Sequence, residues 1–167
     1  MNKHQSALRS MALAHEAIQK LMTAADSIVE GMANAKMHSV PGIQFARIPK
    51  RLLPPGLFAF QQNAGRIGID LELELIRLVG TTPPHIHRKS GGVVVKCGPT
   101  LTGTEALLDH FGKYPKVAWQ KVKPGEIFFT PVGMVHGLRF VNEICHEPAH
   151  FFAVNAPAIL EDDVVYV

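Results

Sequence analysis

Three histidines carry the most specific chemistry that this sequence offers. In "PPHIHRKSGG", residues 83–92, His85 and His87 are separated by one residue. On a β-strand both would project from the same face, because strand side chains alternate with a period of two. Two imidazoles on one face begin a metal site without completing it. A third stands in "PGEIFFTPVGMVHGLRF", residues 124–140. There Pro131 and Gly133 predict a tight turn, after which His136, Leu138 and Phe140 share one face of a strand. A lone histidine on an apolar face is ordinarily a core residue. Three that converge across a barrel are hard to explain except by a metal.

The elements that must position these residues differ between the two ends of the chain. From about Asn2 to Met32 the sequence reads as one helix. Leu8, Met11, His15, Ile18, Met22, Ala25, Val29 and Met32 recur at three- and four-residue steps, and Gly31 and Asn34 are stop signals. Its apolar stripe must be buried, either on the rest of the chain or on a second copy. After Pro41 the texture becomes that of strands. "GRIGIDLELELIRLVG" alternates, with Ile67, Ile69, Leu71, Leu73 and Leu75 on one face and Asp70, Glu72 and Glu74 on the other. The carboxylate face is expected to meet solvent. The runs "VVVKC", "EIFFTPV", "VHGLRFV" and "HFFAVNAP" follow, separated by Gly, Pro or Asn. Many short strands with turn signals between them predict a sandwich or barrel. Trp119, Phe128, Phe129, Phe151 and Phe152 are expected in its core and Arg139 outside it.

The spacing of these residues resembles the two motifs of the cupin superfamily. Gly80, His85, His87 and Gly98 fall where the first motif has them, with the opening spacer one residue short. Gly125, Pro131, Gly133 and His136 fit the second motif fully. With the segment between them the motifs span about a third of the chain, and flanking strands extend the likeness to about residues 40–167. The resemblance implies a mainly β fold, a jelly-roll β-barrel with an N-terminal α-helical extension. It divides the chain into a helix over 1–35, for packing or dimerisation, and a cupin barrel over 36–167. It also implies a divalent transition metal (Fe, Ni, Zn, Cu or Mn) held by His85, His87 and His136.

Two departures from the pattern matter. The second motif's final Asn is here Phe140, and the first motif's Glu falls at Gly91, or at Gly92 with the longer spacer. Three readings stay open. The three imidazoles hold the ion and an anionic substrate supplies the missing charge, as in cupin dioxygenases with three histidines. Alternatively another side chain replaces the carboxylate: His150, Glu147 or His146. Cys97, pointing inward on the strand after the first motif, is expected to be an inert buried thiol, with a thiolate ligand as its sharper alternative. Or the metal is lost and the barrel is a non-catalytic binding or sensing cup. The leading expectation is an oxidoreductase, a metal-dependent dioxygenase acting on a small anionic metabolite. Isomerase or lyase chemistry would need a general base, for which only His150 and Glu147 offer themselves.

Composition narrows the alternatives. The 167 residues are 47% hydrophobic and 19% charged, enough for a packed core. Seventeen Lys+Arg against fourteen Asp+Glu give a net charge of +3, too scattered to form a nucleic-acid surface. Cys97 and Cys145 have no metal or redox spacing, and no apolar run reaches the length of a membrane span or a secretory signal. The expected setting is cytoplasmic, and the expected assembly a homodimer.

Overall fold

A computed structural model of the chain describes residues 3–98, 103–109, 112–114, 116–141, 147–159 and 162–167. Helix α1, Lys3–Met22, buries Ala14, Ala17, Ile18 and Leu21 completely, at the three- and four-residue steps of a single stripe. The one long helix expected from the sequence is broken after Met22. The Thr23 hydroxyl and amide both donate to the Lys20 carbonyl, at 2.7 and 3.2 Å, and the Ala24 amide donates to Leu21. These i→i−3 bonds tighten and end the last turn. Helix α2, Ala25–Gly31, then carries the stripe on through buried Ile28, with Met32 buried just beyond it.

Eleven strands follow among the described residues: β1 His38–Val40, β2 Ile43–Arg47, β3 Glu72–Leu78, β4 His85–His87, β5 Gly91–Lys96, β6 Thr104–Leu108, β7 Gln120–Val122, β8 Ile127–Thr130, β9 His136–Phe140, β10 Ala149–Ala156 and β11 Val164–Tyr166. They form two antiparallel sheets, ordered β1-β2-β3-β10-β5-β8 and β11-β4-β9-β6-β7. The mainly β, two-sheet fold with an N-terminal helix is the one expected. A further helix, α3 Leu57–Arg66, was not expected. It starts after Pro54-Pro55-Gly56, buries Leu57 and Ala64, and packs beside α1.

Two apolar cores result, one on each face of the six-stranded sheet. Leu71, Leu73, Leu75, Val93, Val95, Phe152 and Val154 face α1, α2 and α3. Leu78, Val94, Phe151 and Ala153 face the second sheet, meeting Ala106, Leu108, Leu138 and Phe140. Each completely buried Leu, Ile or Phe contributes roughly 1.5–3 kcal/mol of transfer free energy. The helical stripe therefore closes over its own chain's sheet, one of the two places expected for it. It is centred on Ala14, Ala17, Ile18 and Leu21, of which only Ile18 is an expected position; Leu8 is exposed and Met11, Met22, Ala25 and Val29 are only partly buried. Phe151 and Phe152 are core residues as expected, one in each layer.

Two aromatic expectations are corrected. Trp119 is only half-buried and lies under the Arg139 guanidinium at 4.5 Å, because Arg139 alternates with the core residues Leu138 and Phe140 and pairs outside the core with Glu105 at 2.8 Å. Phe129 is 39% exposed and stacks on His15 of α1, with ring centroids 5.7 Å apart.

The carboxylate row is corrected too. Asp70 is exposed, but Glu72 and Glu74 are only 6% and 5% exposed. The leucine face of β3 is covered by helices, so the opposite face is the one turned toward the second sheet. Glu72 is met by Arg47 and accepts a bond from the Ile159 amide at 2.9 Å. Glu74 accepts one from Asn155 Nδ2 at 2.9 Å. Burial first, and then the neighbouring Glu72, pushes the Glu74 carboxyl up to about 7. The folded state thus holds a proton that the unfolded state releases above the ordinary 4.5, and stability is lost as pH rises from there through about 7. Glu74→Gln keeps an acceptor for Asn155 and removes the titration. Urea unfolding at pH 8 should find the variant more stable by about 1–3 kcal/mol, with the difference disappearing at pH 4.

Candidate metal centre

The three histidines meet on one face of the second sheet. His85 and His87 lie two residues apart on β4, and His85 is the register partner of His136 across the antiparallel β4–β9 pair. Their ring centroids are 4.3 Å (His85–His136), 5.0 Å (His87–His136) and 5.3 Å (His85–His87) apart. One ligand atom from each lies within 4.8 Å of the others. The second motif supplies the approach. Val132 and Gly133 form a turn closed by the Met134 amide on the Pro131 carbonyl at 3.1 Å, with Gly133 at φ +78°, where a side chain would be strained. The Gly133 amide then ties this turn to the His87 carbonyl at 2.8 Å.

The surroundings fix the state of the rings. His85 Nδ1 is 2.9 Å from the Pro83 carbonyl, and His136 Nδ1 is 2.9 Å from the Met134 carbonyl. Burial pushes His136 down to about 3, helped by the neighbouring His85 and His87. Burial and then His85 push His87 down to about 4, against the opposing pull of Asp163. His85 is also lowered by burial, partly offset by its bond to Pro83. Three largely buried imidazoles that are neutral at pH 7 are metal donors in their binding state; crowded as cations they would repel each other. Imidazole donors suit Zn, Cu, Fe and Ni. The residues present fit such an ion, and among those described the group includes no carboxylate.

The remaining sequence candidates lie elsewhere. His150 alternates with Phe151 and Ala153, which face the second sheet, and so shares the helix side of β10 with Phe152. Burial first, then Arg77, lowers its pKa. Glu147 is exposed, and His146 falls outside the described residues. Cys97 is 2% exposed in the core beneath the helices, where burial pushes its thiol up to about 12. A Cβ at Gly91 would meet the Met11 sulfur of α1 at 3.2 Å, so position 91 faces the helices. A Cβ at Gly92 would meet Thr130 Oγ1 at 2.7 Å and Asn155 Oδ1 at 2.9 Å. Of the two, position 92 is thus the one facing the second sheet, and its space is taken by neutral side chains.

Sequence reasoning missed Asp163. Its side chain is completely buried, with Oδ2 3.5 Å from His87 Nδ1. Oδ1 accepts from the Lys89 amide at 2.5 Å and Oδ2 from the Ser90 amide at 3.2 Å. Burial opposes its charge, but the bonds from Ser90 and Lys89 and the nearby His87 outweigh this and hold its carboxyl below the usual carboxylate range. The one sequence signal was an acidic residue opening the last apolar run, "DVVYV".

No protein-family model matches the sequence, and no curated protein matches it. Solved structures do. The polyketide cyclase RemF from Streptomyces resistomycificus matches 81% of this chain and 81% of its own at 19% identity and a TM-score of 0.52. A point variant of Streptomyces PAC13 with uridine matches 79% of this chain and 83% of its own, at 9% identity and 0.52. Oxalate decarboxylase OxdC from Bacillus subtilis, as a mutant, matches 81% of this chain and 31% of its own, at 13% identity and 0.52. Two motifs in order, two packed antiparallel sheets and these cupin-type neighbours make the fold of this chain a cupin fold.

Proposed function

We propose that the chain is a metal-dependent cupin enzyme whose three-histidine centre acts on a small anionic metabolite, with dioxygenase-like chemistry. The observation that carries this is the convergence of His85, His87 and His136, largely buried and neutral, with a ligand atom of each within 4.8 Å of the others. A purely structural centre would complete its coordination from the chain, whereas three protein ligands leave positions for substrate. Bound there, a divalent ion supplies Lewis acidity and, if redox-active, the electron transfer that oxygen chemistry requires.

The chain's own part is positioning. His85 and His136 are locked by backbone carbonyls, which fixes the direction of their free nitrogens. Leu138 and Phe140, on the same face of β9 as His136, are buried in the apolar core between the sheets and anchor the strand that presents His136. With neutral side chains filling the place of the motif carboxylate, an anionic substrate is the partner that balances a doubly charged ion. The names of the neighbours, a cyclase, a decarboxylase and a protein with bound uridine, support small-molecule chemistry as the use of this scaffold.

The test is oxygen uptake by the anaerobically Fe(II)-loaded protein with a panel of hydroxylated aromatic acids, thiol carboxylates and keto acids. Uptake that depends on both metal and one class of acid supports the reading. Ligand-induced thermal stabilisation without turnover, by any metal tried, would instead identify a binding cup.

A further inference from the structure

We infer that Asp163 is a positioning residue of the three-histidine centre: it holds His87 in the Nδ1–H tautomer and so leaves Nε2 as the donor. Its purpose rests on the metal-centre reading above, but its content rests on hydrogen-bond geometry.

A neutral imidazole has one N–H and one lone pair, and only the lone pair can bind a cation. His85 and His136 settle the choice in the same way, each with Nδ1 2.9 Å from the carbonyl two residues earlier. A carbonyl can only accept, so the proton sits on Nδ1 and Nε2 is free. His87 makes no such bond. Among the described residues its buried Nδ1 has no hydrogen-bond partner within ordinary reach, and the carboxylate of Asp163 stands 3.5 Å away. An approach of about 0.5 Å would make this an ordinary charge-assisted bond.

Asp163 cannot readily turn away from that task. Two consecutive backbone amides, Lys89 and Ser90, donate to its two oxygens, and its own carbonyl accepts from the Arg88 amide at 2.9 Å. It immediately precedes β11, in which Val164 is the register partner of His87. An ionised carboxylate only accepts, so it selects the same tautomer for His87 that the carbonyls select for the other two rings. The negative charge absent at Gly92 is thereby returned behind a ligand, one residue removed from the ion, and the C-terminal strand becomes part of the centre.

The test uses the metal-free full chain, ¹⁵N-labelled on histidine, with long-range ¹H–¹⁵N spectra at pH 7.5 and Zn²⁺ affinity measured against a chelator. Wild-type His87 should show the Nδ1–H tautomer. In Asp163→Asn, the Lys89 amide keeps the side-chain oxygen as its acceptor, the Ser90 amide loses its own, and an amide N–H is turned on His87, so the ring should switch to Nε2–H. Zn²⁺ binding should weaken 10–100-fold with it. Asp162→Asn, which alters only the exposed pair with Lys89, should do neither. An Nε2–H tautomer in the wild type overturns the proposal, as does an Asp163→Asn protein with unchanged tautomer and affinity. Should that variant not fold, the wild-type spectrum decides alone. A wild type that binds no Zn²⁺ or other divalent ion defeats the metal-centre reading, while the spectrum still judges Asp163.

Discussion

Replacing His136 with alanine is expected to weaken divalent-metal binding roughly a thousandfold, one ligand's share of the 10–16 kcal/mol typical of a protein-held zinc ion. His136 is the ring closest to His85, and burial holds it neutral down to about pH 3. It comes from a different strand than the other two, so its loss leaves a pair of imidazoles from β4 alone, open on one side. Chelator competition with Zn²⁺ measures the effect. Affinity within threefold of wild type would mean that the ion, if bound, sits elsewhere.

The second large effect is on the metal-free protein in acid. His87 and His136 have folded-state values of about 4 and about 3, against an ordinary 6.5. The unfolded chain therefore takes up protons that the folded one refuses, and stability falls as pH drops from 6.5 through these values. His85 is lowered too and works in the same direction. Together they should remove on the order of 5 kcal/mol between pH 7 and pH 4.5, comparable to the whole stability of a domain of this size. Glu74 titrates oppositely over the same range, so the measurement belongs in the Glu74→Gln background. Urea unfolding that gives equal stabilities at the two pH values would contradict this description of the site. Saturating metal should move the acid transition downward, because protons must then displace the ion.

What could be read from the sequence was local. His85 and His87 share a face because strands alternate, and His136 follows a turn whose Pro and Gly can be recognised one residue at a time. Alternation also separated the two faces of β3, but not what covers each. Burial of Leu71, Leu73 and Leu75 under helices leaves Glu72 and Glu74 facing the other sheet, a fact set by α1, about fifty residues earlier. Helix α3 was hidden because Pro54 and Pro55 precede it and its last residues, Gly65 and Arg66, were read into the alternating stretch that follows, while Leu57 and Ala64 are too few to show a period. The two glycines could be told apart only in three dimensions, with position 91 against Met11 and position 92 against Thr130 and Asn155. Asp163 was out of reach for the same reason. It meets His87 through a strand pairing 76 positions along the chain, and nothing in "EDDVVYV" announces that pairing.

The most direct test of the three-histidine centre is the metal content of tag-free protein, purified and then reconstituted anaerobically with Fe(II), Mn, Ni, Cu and Zn, beside a His85→Ala/His87→Ala variant. Near-stoichiometric metal in the wild type, lost from a variant that still folds, is the predicted result. A wild type that retains none of the five ions, or a variant that retains as much as the wild type, would contradict it.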